Sequence, residues 1–152
     1  MRYIFDNDLH IHSKLSLCSN DPKQNTSAIL DYAVRNKLST ICLTDHFWDS
    51  SVPGASGWYV PQDYKHISES LPLPTADGVR FLFGCETDLD MDLTLGVAPE
   101  HYDLFDFIII PTTHLHMNGF TCRGDETPAE RAVLWVDRFD GVLDMKVIHS
   151  SS

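Results

Sequence analysis

The sequence predicts an α/β domain built on a parallel sheet, and two patterns carry that expectation. Short runs that are apolar on both faces alternate with segments of helical period, as buried strands covered by helices require. The 152-residue length suits one domain, or part of a larger one, able to bury a core without staples.

Taken in order, residues 7–12 read as a short strand. A helix follows over 26–38, with Leu30, Val34 and Leu38 spaced for one face and Asn25 or Thr26 as its cap. Residues 39–44 are a β-branched, largely apolar strand. The stretch 47–60 reads as irregular: Pro53, Gly54 and Gly57 stand among the aromatics Trp48, Trp58 and Tyr59. Residues 61–71 suit a helix, which Pro72 and Pro74 end. A third buried strand spans 79–85 and a fourth 106–113. The last helix is the best signalled, because Thr127, Pro128 and Glu130 compose a capping box with proline at the first helical position. Its expected buried stripe is Ala132, Trp135, Val136, Phe139 and Leu143.

Composition narrows the function. Hydrophobic residues at 43% and charged residues at 22% exclude wholesale disorder. A net charge of -11 offers no electrostatic footprint for a phosphate backbone. The apolar runs are too short to cross a bilayer, and the first ten residues lack the apolar core of a signal peptide. A cytoplasmic address is therefore expected, with neither nucleic acid nor membrane as partner. Four cysteines without a C-x-x-C read as reduced thiols, and Cys42 and Cys85 as small buried hydrophobes. Eight histidines are the first sign of chemistry.

Each strand ends in residues that bind cations. The first ends Asp8-Leu9-His10-Ile11-His12, where alternation places both imidazoles on one face. The second ends Thr44-Asp45-His46, the third Glu86-Thr87-Asp88, and the fourth Thr112-Thr113-His114-Leu115-His116. In a parallel α/β fold these ends share one rim, so the ligands are expected to converge on a common metal site. Other readings fail. A calcium loop starting at Asp88 would need glycine and glutamate where Leu93 and Pro99 stand, which leaves Asp90 and Asp92 as solvated acids. His66 and His101 read as surface residues. There is no G-x-S-x-G, Walker A or G-x-G-x-x-G pattern.

As a set, these strand ends resemble the PHP family, the polymerase and histidinol phosphatase domain. The segment from Asp8 to Ser13 is similar to its first motif, Thr44-Asp45-His46 to its second, Glu86 to its third and His114 to its fourth. The resemblance implies a distorted, TIM-like barrel of seven βα units, holding two or three divalent ions of zinc, manganese or iron. It further implies that His10, His12 and Glu86 hold one ion, that Glu86 bridges to a second bound by His114, and that His46 belongs to a third. Two departures stand out. Cys18 occupies the place of a third-site histidine found in some members, and a thiolate can bind zinc. No Asp-x-His follows His114, and His149 is the candidate for a later, middle-strand ligand. Residues 1–152 thus resemble the N-terminal portion of the domain, an incomplete barrel of about four to five βα units.

The function this implies is a metal-dependent phosphoesterase. The leading expectation is a histidinol-phosphatase-like phosphomonoesterase acting on a small phosphorylated substrate, with Glu86 and His46 as catalytic residues. Trp48 and His116 are its expected substrate contacts, with ordinary loop packing the alternative for the aromatics. Two other readings stay open: a non-catalytic or truncated metal-binding protein, and a nuclease. The nuclease would need a basic track that residues 47–60 lack. An apolar, unpaired edge is expected at 145–149, to be covered by a second copy of the chain or by a partner segment.

Overall fold

Four strands, β1 (Asn7–Ile11), β2 (Thr40–Leu43), β3 (Arg80–Glu86) and β4 (Phe107–Ile109), pair in chain order and are parallel throughout in the computed structural model. Residues 5–19 and 21–145 are described. Four parallel strands with helical crossovers fit an incomplete α/β barrel. All four strands were expected, and β4 is shorter than its apolar run because the chain leaves the ladder before Pro111, which has no N–H to donate. Cys42, Ile41 and Leu43 of β2 are fully buried, as an inner parallel strand requires.

The first helix, α1 (Thr26–Asn36), is capped by the Asn25 side chain, which accepts from the Ala28 amide at 3.1 Å. It ends two residues earlier than its periodicity suggests, at a left-handed Lys37. Its core face is consequently Ile29, Leu30 and Ala33, and the expected Val34 is half exposed. Residues 61–71 hold only one turn, α2 (Tyr64–Ile67), capped by Asp63 and followed by a 3₁₀ turn, Ser68–Ser70. A second 3₁₀ segment, Pro99–Leu104, precedes β4.

The last helix, α3 (Pro128–Asp144), has the full capping box. Its packing inverts the expectation. Ala132, Trp135, Val136, Phe139 and Leu143 all face outward, and the residue buried on this helix is Arg138. The reason lies beneath the helix. Arg138 reaches the backbone carbonyls of Leu89, Asp90 and Thr121, which need donors that an apolar side chain cannot supply. The edge expected at 145–149 and His149 lie outside the described residues, apart from Met145, which packs against the core.

Two ties hold the loops at the C-terminal rim. The buried Asp45 carboxylate accepts from both the amide and the hydroxyl of Ser13, at 2.6 and 2.7 Å, and fastens the loop after β1 to the end of β2. Asp49 pairs with His101, joining the loop after β2 to the segment before β4. His66, expected at the surface, instead bonds the Leu15 carbonyl at 2.8 Å.

Two outcomes follow from this packing. A Cβ on Gly84 would lie 2.4 Å from the Phe107 carbonyl oxygen and 2.8 Å from the Cys42 sulfur, whereas one on Gly57 would meet nothing within 4 Å. Gly84→Ala should therefore destabilise by about 1–3 kcal/mol through overpacking, and Gly57→Ala should not; thermal melts of both variants check this. The second outcome concerns pH. Burial pushes the Asp49 carboxyl up, but bonds from His101, Ser51 and Ala98 outweigh it and hold the group low, while the bond to Asp49 raises His101. The depressed carboxyl contributes fully above its ordinary value of 3.8, and the raised imidazole contributes fully below 6.5. The pair should support the fold most strongly between these limits, and His101→Ala should lower stability there and lessen its decline at higher pH in melts taken across pH.

Candidate metal centre

The histidines converge because backbone pairing carries them there. Beyond β2, the Glu86 amide bonds the Asp45 carbonyl at 3.1 Å and the Phe47 amide bonds the Glu86 carbonyl at 2.8 Å. These bonds set His46 beside Glu86 in a parallel bridge. Between Asp8 and Ile11 the β1 register slips, a bulge of the kind that re-aims side chains near sites. His10 and His12 still meet, with their Nε2 atoms 3.2 Å apart. Ser16 positions two of the histidine segments, since its hydroxyl oxygen accepts from the His46 amide at 2.9 Å and lies 3.1 Å from His12 Nδ1.

All four histidines surround the Glu86 carboxylate, which is 1% exposed. His10 Nε2, His12 Nε2 and His46 Nδ1 lie 3.1, 3.0 and 3.3 Å from Oε2. His114 Nε2 lies 3.6 Å from Oε1. Burial pushes the Glu86 carboxyl up, but His12, His46 and His10 outweigh it and hold it down at about 2. Burial lowers His46 to about 4, so its ring is neutral and its nitrogen lone pair is available.

This donor set fits divalent cations. Glu86 Oε1 and His46 Nδ1 are buried and have no hydrogen-bond partner. Two neighbouring imidazole nitrogens and a carboxylate oxygen at such spacing share few protons, and a cation satisfies them together. The donor atoms of His10, His12 and Glu86 lie within 4.8 Å of one another, as do those of His12, Cys18 and His46. Cys18 is exposed and its sulfur belongs to the second group.

The cluster forms the floor of a cavity of about 470 Å³, a volume suited to a small ligand. Its walls are Trp58, Tyr59, His116 and Met117. Trp48, expected as a wall, lies beneath the site instead. It is 2% exposed, donates its indole N–H to the Val52 carbonyl, and packs on Tyr59 and Phe120. Among the described residues, no lysine or arginine lines this cavity. A second hollow of about 460 Å³ lies against the first turns of α3 and carries none of these histidines.

Two residues have roles the sequence reading does not assign. Asp88 is fully buried and bonds the Tyr59 hydroxyl at 2.8 Å and His114 Nδ1 at 3.0 Å. Its signal was present, because it follows Glu86 at the two-residue spacing that shares a face in extended chain. Arg138, 3.9 Å from Asp88 Oδ1, had no such signal.

Among the described residues, no helix is long and apolar enough to cross a membrane. No curated protein matches the chain. The PHP domain model matches residues 8–151, nearly the whole sequence and every strand end described above. The chain belongs to the PHP domain family, whose members are metal-dependent phosphoesterases.

Proposed function

We propose that the chain is a phosphomonoesterase that hydrolyses a small phosphorylated molecule of the histidinol phosphate kind, with two or three zinc, manganese or iron ions held by the histidine cluster. The observation that carries this reading is the convergence of four imidazoles, from the ends of β1 and β2 and the loop after β4, on a single buried carboxylate at the end of β3. In this reading His10, His12 and Glu86 hold one ion, Glu86 and His114 a second, and His46 with Cys18 a third. The incomplete barrel would be the first units of the family's seven-unit architecture.

Cations bound there supply an acidified water and neutralise phosphate oxygens. The protein's own residues do the rest. Glu86 stays ionised down to acid pH and offers one oxygen to either side. His46 stays neutral and presents a lone pair beside it. Trp58 and Met117 give the leaving group an apolar wall that excludes water, and exposed His116 stands at the rim, its ring 5.3 Å from that of His114. With no lysine or arginine lining the cavity among the described residues, phosphate charge falls to the ions. A compact monoester suits that arrangement better than a polyanionic strand.

The test is hydrolysis of p-nitrophenyl phosphate by protein supplied with Mn²⁺ or Zn²⁺. Turnover should appear with metal, vanish with chelator, and fall on the order of 100-fold or more in Glu86→Gln, matching several kcal/mol of lost charge stabilisation. Turnover that survives both chelator and Glu86→Gln overturns the reading, and preference for single-stranded DNA would turn it toward a nuclease. Cys18 is checked separately. Cobalt(II) added to the metal-free protein should produce a near-ultraviolet thiolate band that Cys18→Ser abolishes.

A further inference from the structure

The carboxylate of Asp88 lies between His114 and Arg138 with no exposure to solvent. Its Oδ2 faces His114 Nδ1 at 3.0 Å and accepts from the Tyr59 hydroxyl at 2.8 Å. A carboxylate has no proton to give, so the bond requires the proton on Nδ1, and in the neutral ring this leaves the lone pair on Nε2. That Nε2 points to Glu86 Oε1, 3.6 Å away, and Oε1 is itself buried without a hydrogen-bond partner. Two lone pairs thus face one another across a gap that neither can close alone.

The carboxylate in turn is held from behind. The fully buried Arg138 sets Nη2 3.9 Å from Oδ1 while donating to the carbonyls of Leu89 at 3.0 Å and Asp90 at 3.1 Å. Those carbonyls belong to the two residues that follow Asp88, so one guanidinium fixes both the charge and the backbone that carries it. A buried carboxylate without such company would be costly. Tyr59 gains nothing from ionising here, since burial beside Asp88 raises its hydroxyl far above the ordinary value and keeps it a donor.

We propose that Asp88 is a positioning residue that locks His114 in the Nδ1–H tautomer and aims its Nε2 lone pair at the free Glu86 oxygen, with Tyr59 and Arg138 holding Asp88 in place. The role rests on reading His114 as a metal ligand for its purpose, though not for its geometry. Outer-shell carboxylates of this kind raise the basicity of a ligating imidazole and fix its direction.

The test reads the tautomer in metal-free protein, by long-range ¹H–¹⁵N correlation of ¹⁵N-histidine, with the signal assigned by its loss in His114→Gln. Wild-type protein should show His114 protonated on Nδ1. Asp88→Asn, which keeps the shape but can donate as well as accept, should give a mixture of both tautomers. Zn²⁺ titrated by calorimetry should bind about 10–100-fold more weakly to that variant at the His114-containing site. A neutral wild-type His114 ring protonated on Nε2 alone overturns the proposal, and this measurement stands even where Asp88→Asn does not fold. An unchanged tautomer in folded Asp88→Asn overturns it as well. The expected tautomer change in a protein that binds no zinc leaves Asp88 as the positioning residue and removes the metal reading of the site.

Discussion

A buried carboxylate is the constraint around which this domain is arranged. Glu86 sits at the end of β3 almost without solvent, and an ion so placed is tolerated only with partners that replace water. Four imidazoles provide them, and they come from three separate segments of the chain: His10 and His12 at β1, His46 after β2, and His114 after β4. Parallel pairing in chain order is what makes that possible, because it delivers the C-terminal ends of consecutive strands to one rim. The polar ties nearby serve the same arrangement. Asp45 anchors the loop of His10 and His12, and Ser16 joins that loop to the His46 segment.

The parts of this architecture that were legible in the sequence are those whose signal is local. Strands apolar on both faces, the Asn25 and Thr127 caps, and the H-x-H spacing of His10 and His12 each declare themselves within a few residues. What stayed hidden depends on contacts distant along the chain. Trp48 lies on the same loop as Trp58, yet Trp48 is buried on Phe120 while Trp58 lines the cavity, a difference decided by residues far away. Asp88 reads as one more cation ligand at a strand end, yet it turns inward to Tyr59 and His114, partners far along the chain, while Asp90 and Asp92 turn in a surface loop. Periodicity located α3 and its apolar residues but could not say which side of the helix turns inward.

That inversion of α3 changes how the helix is attached. An apolar stripe holds a helix through many small, interchangeable contacts. Arg138 holds it through directional bonds to three carbonyls and a nearby carboxylate, so the angular position of the helix is specified by few atoms. Trp135 adds a second directional bond, from its indole N–H to the Thr112 hydroxyl at 3.0 Å, which ties the helix to the segment leading into His114. The helix is therefore registered against the site by polar contacts.

The outward stripe also sets the surface behaviour of the chain. Val133, Trp135, Val136, Phe139 and Leu143 are each between 49% and 64% exposed, on a chain of net charge -11. Two forces of opposite sign therefore act between copies that approach through this face. Charge repulsion extends roughly a Debye length, about 10 Å at 0.1 M salt, and shrinks as ions are added. Apolar contact is short-ranged and is strengthened by sulfate or phosphate salts. Any association through α3 must then tighten as ionic strength rises, the reverse of an interface built on complementary charge.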